Sequence, residues 1–246
     1  MHFLKPIRQR NWRLVKVKEL LDFGKSQLAE KEISPVDAEL ILAHFLGVDR
    51  MELHSREIPI ESEEIVEFYK HAIAERLTGK PTQYITGTAP FRYLEYEVGP
   101  GVLIPRPETE ILVDEVLHQL NSFGDPVSIV DLGAGAGGIS IALATETYGK
   151  KETHVIAVEK SNEALVWLQK NIAKHDVNIR VIEGDAAAAL EGVKCDVVVA
   201  NPPYLPNGQE VPQELTFEPD LALYGGDHDG MAAPREFIKA AARLLK

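Results

Sequence analysis

The tetrapeptide Asn201-Pro202-Pro203-Tyr204 combines residue types suited to holding a planar amide or amine nitrogen. An amide nitrogen is a poor nucleophile because its lone pair is delocalised into the carbonyl. A site that alkylates it must fix the NH2 group by taking both N–H donors. The Asn201 side-chain oxygen and the Pro202 carbonyl offer two acceptors for that task. Pro202 and Pro203 have a fixed φ and no N–H of their own, so the acceptors would stand in one geometry. Tyr204 adds a flat face for the planar group. Taken alone, the same four residues are also an ordinary proline-rich turn after a strand, so their meaning depends on their surroundings.

A second constellation is the glycine-rich run Asp131-Leu132-Gly133-Ala134-Gly135-Ala136-Gly137-Gly138. Glycines let the backbone turn sharply and let a ligand approach where a Cβ would collide. Gly133, Gly135 and Gly138 also satisfy the dinucleotide spacing, and Glu159 can accept the ribose hydroxyls of any adenosine. On these two features a nicotinamide dinucleotide and S-adenosylmethionine stand equal, with a ligand-free turn as the bland alternative. Gly184-Asp185-Ala186 then supplies an acid that can bind an adenine amine. A dehydrogenase has no use for Asn201 to Tyr204, and the balance moves to methyl transfer from S-adenosylmethionine.

These loops need a scaffold that brings them together. Apolar strands at 127–131, 155–159, 179–183 and 196–200 alternate with helices starting at Gly138 and Asn162. The alternation predicts a parallel sheet with helices on both faces. Ligands of such sheets sit outside the carboxyl ends of the strands, where strand order reverses, so all four loops should face one crevice.

The first third reads as helices. Val15, Val17, Leu20, Leu21 and Leu28 have helical spacing. Ser34-Pro35-Val36-Asp37 opens a second helix that Gly47 ends, and a third runs from Ser62 to Gly79-Lys80-Pro81. The near alternation of 91–98, the turn Gly99-Pro100-Gly101 and the segment Val102-Leu103-Ile104 predict a β-hairpin. The expected fold is therefore α/β: a Rossmann-like S-adenosylmethionine-dependent methyltransferase domain at 107–246, a small helical domain with no evident chemical residues at 1–81, and a hairpin linker at 82–106.

The net charge of −12 argues against a protein whose task is gripping nucleic acid, so no stable nucleic-acid binding is expected. A basic cluster, Lys5, Arg8, Arg10, Arg13, Lys16 and Lys18, precedes the first acid and is expected to be a solvated arm. No run of about 18 apolar residues occurs, so no membrane partner is expected. The single cysteine, Cys195, fits a reducing, cytoplasmic setting. The histidines lack metal-ligand spacing, and no metal is expected. The loop Gly225-Gly226-Asp227-His228-Asp229-Gly230 lacks the calcium-loop pattern and reads as turn chemistry. Neither Trp12 nor Trp167 has an evident role.

At the level of motifs, residues 79–87 (Gly-Lys-Pro-Thr-Gln-Tyr-Ile-Thr-Gly), 103–110 (Leu-Ile-Pro-Arg-Pro-Glu-Thr-Glu), the glycine run, Asn201 to Tyr204 and Phe217-Glu218-Pro219 resemble the peptide chain release factor glutamine methyltransferases of the HemK type. The resemblance spans about residues 15–246, and the 103–110 run is its most specific part. It implies methylation of the glutamine amide in the Gly-Gly-Gln loop of a release factor, by a monomer whose helical domain helps dock that protein. It places Gly133, Ala134, Gly135, Ala136, Gly137, Glu159, Asp185, Ala186 and Asn201 around the cofactor, and Asn201, Pro202, Pro203 and Tyr204 around the amide. Phe91 and residues 106–109 would border the pocket, with Phe91 offering cation–π attraction to the sulfonium, a core position in the hairpin being the equal alternative for Phe91. Two departures stand out. Residue 186 is alanine where the family often has a large side chain, and Leu244-Leu245-Lys246 ends the chain where the family's sheet continues with three more strands. The methyltransferase domain is thus expected to be C-terminally incomplete. The alternatives are glutamine methylation of a ribosomal protein, adenine-N6 methylation of nucleic acid, and an inactive fragment that only binds a partner.

Overall fold

The computed structural model describes residues 15–55, 59–60 and 62–246. Lys5, Arg8, Arg10, Trp12 and Arg13 lie outside them. Contacts divide the chain into two compact units, Met1–Thr86 and Gly87–Lys246.

The first unit carries β1 (Val15–Lys16), α1 (Val17–Ala29), α2 (Pro35–Leu46), α3 (Glu52–Ser55), β2 (Pro59–Ile60), α4 (Glu63–Leu77) and α5 (Thr82–Thr86). The start and stop of α2 follow the sequence signals. The Ser34 hydroxyl accepts the Val36 N–H at 3.3 Å, Pro35 opens the first turn, and Gly47 closes it at φ +62°. Leu20, Leu21 and Leu28 of α1, Ile41 and Leu42 of α2, and Tyr69 and Ile73 of α4 form the core. Gly24 is what lets α1 meet α4 so closely, because a Cβ there would lie 2.0 Å from the Tyr69 hydroxyl. Arg76 donates to Asp37 at 2.7 Å with both side chains largely buried, tying α4 to α2.

The second unit contains β3 (Thr88–Phe91), β4 (Leu94–Glu97), α6 (Glu110–Gln119), β5 (Val127–Leu132), α7 (Gly138–Thr147), β6 (Thr153–Glu159), α8 (Asn162–His175), β7 (Ile179–Glu183), β8 (Val197–Ala200), α9 (Asp220–Leu223) and α10 (Ala232–Leu244). β7, β6, β5 and β8 form, in that order, an all-parallel sheet. β5, β6 and β7 step one way across the sheet, and β8 returns to the other side of β5. Order therefore reverses between β5 and β8. Side chains alternate across the sheet. Val130 and Leu132 pack with Phe237, Ala240 and Leu244 of α10, whereas Asp131 reaches the start of α7 on the opposite face.

The hairpin differs from the expected one. Its strands pair Thr88 with Glu97 and Phe91 with Leu94, so the turn falls at Arg92-Tyr93 rather than at 99–101. Arg92 has φ +56°, a region that costs a residue with a Cβ about 1–2 kcal/mol. Long-range contacts hold it there. Its N–H donates to Glu110 at 2.8 Å, and its guanidinium meets Glu146 at 2.8 Å and Asp114 at 2.5 Å.

Candidate active site

Strand register decides which loops meet. Leu132 pairs with Ala200 on one side and Val158 on the other, and Glu159 pairs with Glu183. The chain therefore leaves the sheet at Gly133, Lys160, Gly184 and Asn201 along one edge. A cavity of about 300 Å3 opens there, large enough for a nucleoside-sized ligand. Of the residues expected from sequence, Gly133, Gly135, Glu159, Asp185, Ala186, Asn201 and Pro203 line it.

The glycine loop is built to be approached. Gly135 has φ +56°, and a Cβ placed on it would meet no atom within 4 Å, so it would project into ligand space. Its N–H donates to Glu159 Oε2 at 2.8 Å, while the N–H groups of Lys160 and Ser161 donate to Oε1, each at 2.8 Å. A carboxylate accepts about four hydrogen bonds. Glu159 thus keeps acceptor capacity on Oε2 while its position is fixed from three sides. Asp185 is set similarly, accepting the Ala187 N–H at 2.9 Å and lying 3.5 Å from Lys160 Nζ. A cradle with space over Gly135, an open acceptor at Glu159 and an acid at the next strand end fits an adenosine.

Not every expected residue reaches the cavity. Ala134 and Ala136 are buried behind the loop. Gly137, at φ +89°, serves packing, since a Cβ there would lie 2.7 Å from both Ile141 and Leu168. Phe91 is 1% exposed and edge-on to Tyr96 with centroids 6.0 Å apart, a core residue of the hairpin. Pro202 and Tyr204 are not in the lining, and the Tyr204 ring is 62% exposed. The wall is supplied instead by residues whose sequence context gave little sign of it: Gly101 to Leu103, Tyr224 to Gly226, and Phe237. The i, i+3, i+7 spacing of Phe237, Ala240 and Leu244 marks a buried stripe, but not that its first member reaches a ligand site.

Asn201 is held from the side. Its Nδ2 donates to the Thr109 hydroxyl at 3.0 Å, and among the described residues no group of the chain donates to its Oδ1. The loop it begins is braced along its backbone. The N–H groups of Tyr204 and Leu205 donate to the Leu223 carbonyl at 3.2 and 2.9 Å, and the Gly225 N–H donates to Leu205 at 3.0 Å. Two glycines make this contact possible. A Cβ on Gly230 would lie 2.1 Å from the Tyr204 carbonyl oxygen, and one on Gly225 would lie 2.6 Å from that of Pro203.

Two further ties fix the walls. Buried Glu218 accepts the Ile104 N–H at 3.0 Å and pairs with Arg106 at 2.5 Å, joining the segment before α6 to the segment before α9. On α8, Trp167 and Asn171 share one face. Trp167 Nε1 donates to the Pro100 carbonyl at 3.1 Å. Fully buried Asn171 donates to the carbonyls of Glu97 and Ala136, at 2.9 and 3.0 Å, joining the hairpin to the glycine loop. Among the described residues no group of His, Cys, Asp and Glu could hold a metal ion, and no helix is long and apolar enough to cross a membrane.

A nucleoside cradle and an Asn-Pro-Pro-Tyr loop on adjacent strand ends define an S-adenosylmethionine-dependent methyltransferase. Comparison with known proteins agrees. Residues 19–87 match the family described as PrmC N-terminal domain, and residues 108–218 match Methyltransferase small domain. The chain is 36% identical to the release factor glutamine methyltransferase of Bifidobacterium longum, the match covering 94% of this chain and 84% of that protein. Those of Mycolicibacterium smegmatis and Streptomyces coelicolor are 41% and 40% identical, covering 86% and 85% of this chain and 73% of each relative. The chain belongs to the release factor glutamine methyltransferase family.

Proposed function

We propose that the protein transfers a methyl group to the side-chain amide nitrogen of the glutamine in the Gly-Gly-Gln loop of a peptide chain release factor. S-adenosylmethionine supplies an electrophilic methyl on a sulfonium. Gly133, Gly135, Glu159, Asp185 and Ala186 would hold it, the Glu159 carboxylate accepting ribose hydroxyls through Oε2. The observation that carries the reading is that Asn201 lines the same cavity as Gly135 with its Oδ1 free to accept.

In this reading Asn201 Oδ1 and the Pro202 carbonyl each take one N–H of the glutamine amide, which fixes the NH2 plane and turns the nitrogen toward the cavity. As the nitrogen bonds the methyl carbon, the methyl–sulfur bond would break with its electron pair left on a neutral thioether. The nitrogen gains positive charge, both acceptors hold the N–H groups more strongly than in the ground state, and one N–H proton is then lost to solvent. No covalent enzyme intermediate is needed, because alignment alone can supply up to about 7–11 kcal/mol of a displacement barrier. The exposed Tyr204 ring offers the planar amide a face at the rim. The helical unit would dock the release factor, with the enzyme acting as a monomer in the cytoplasm.

The test is labelled S-adenosylmethionine mixed with a release factor. Label should appear on the Gly-Gly-Gln glutamine, and Asn201→Ala should reduce transfer by at least about a hundredfold while leaving cofactor affinity, measured by calorimetry, within about twofold. Label on nucleic acid and none on protein would reverse the assignment.

A further inference from the structure

We propose that Thr109 is a positioning residue that sets which way the Asn201 amide faces, an inference that rests on the glutamine-methylation reading above. A side-chain amide has an acceptor at one end and two donors at the other, in nearly the same shape. Turned by 180°, Asn201 would present its NH2 to the NH2 of a substrate amide, and donor would face donor. Something must therefore break the near-symmetry of the group.

Thr109 stands in the right place to do so. It occupies the N-cap position of α6, where a threonine hydroxyl ordinarily accepts an N–H of its own helix. Here the side chain makes no cap hydrogen bond. Its oxygen instead accepts Asn201 Nδ2–H at 3.0 Å, across 92 residues of chain. Committing Nδ2 to Thr109 leaves Oδ1 as the atom Asn201 offers to the cavity it lines.

The surroundings keep this bond in register. The Thr109 N–H donates to the Arg106 carbonyl at 2.9 Å, closing the 3-10 turn Pro107–Thr109. Arg106 is in turn pinned by buried Glu218. On the other side, Asn201 directly follows β8, whose last residue pairs with Leu132 of the central strand. Donor and acceptor are thus both carried by fixed backbone, and a half-buried hydroxyl with no local task is spent on orienting one amide.

The experiment compares wild type, Thr109→Val and Thr109→Ser in methylation of a purified release factor. Valine keeps the β-branched shape and removes the hydroxyl; serine keeps the hydroxyl. Thr109→Val should lower kcat about tenfold, the scale expected when one orienting hydrogen bond is lost. KM for the release factor, affinity for S-adenosylhomocysteine and the melting temperature should stay at wild-type values. Thr109→Ser should recover most of kcat. Wild-type kcat in Thr109→Val, or an equal loss in both variants, overturns the proposal. So does a loss of kcat accompanied by lower melting temperature and weaker cofactor binding, which marks a merely structural residue. Wild-type enzyme that labels no release-factor glutamine overturns the functional reading itself, and that outcome is read from the control alone.

Discussion

Asp131 is fully buried at the end of β5, and its Oδ2 accepts the Ser140 N–H at 3.1 Å. Burial pushes its carboxyl up to about 7, repulsion from Glu159 adds to the rise, and the hydrogen bond from the Ser140 N–H opposes it. An unfolded aspartate titrates near about 3.9. Between about 4 and 7 the folded state therefore holds a proton that the unfolded state has lost, so stability from this group falls as pH rises through that window and levels off above it. Urea unfolding of wild type and Asp131→Asn at pH 5 and pH 8 checks this. The wild-type advantage should be larger at pH 5; an equal difference at both values would contradict it. Asp196, held well below the ordinary range by Lys246 and Ser128, loses its contribution only as pH falls below about 4, and it is common to both proteins. Much of the cavity lining was legible from sequence: Gly133, Gly135, Glu159 and Asn201 are fixed by local backbone needs and by strand ends. Phe91 was not, because an aromatic in an alternating segment serves core and pocket equally well until the hairpin's facing is known.

At the scale of elements, the loop carrying Asn201 depends on a second loop that sequence alone reads as a simple turn. Gly225 and Gly230 lie against the carbonyls of Pro203 and Tyr204 at distances no side chain allows. Gly230→Ala would put a Cβ 2.1 Å from the Tyr204 oxygen at φ +72°, so the two loops must part. Since α10 and the sheet are untouched, we expect transfer activity to fall at least about tenfold with a stability loss of only about 1–2 kcal/mol. Methylation assays paired with thermal melting separate the two, and full activity in Gly230→Ala would contradict the bracing role. The parallel strands were legible to within a residue or two, because apolar runs and glycine ends are local signals. The hairpin turn, α5 and the Trp167 and Asn171 ties were not, because each is decided by partners distant in sequence. Arg92 adopts a left-handed turn only because Glu110, Glu146 and Asp114 meet it.

At the scale of the whole molecule, function follows from one topological fact. β8 returns beside β5, so the glycine loop after β5 and the Asn201 loop after β8 leave neighbouring strand ends into one cavity. A net charge of −12 suits a protein substrate better than a phosphate backbone. The convergence is tested most directly by a crystal structure of the protein with S-adenosylhomocysteine. The ribose hydroxyls should lie on Glu159 and the adenine beside Asp185 and Ala186, with the thioether sulfur turned toward Asn201. A ligand bound outside this cavity, or one whose sulfur points away from Asn201, would contradict it.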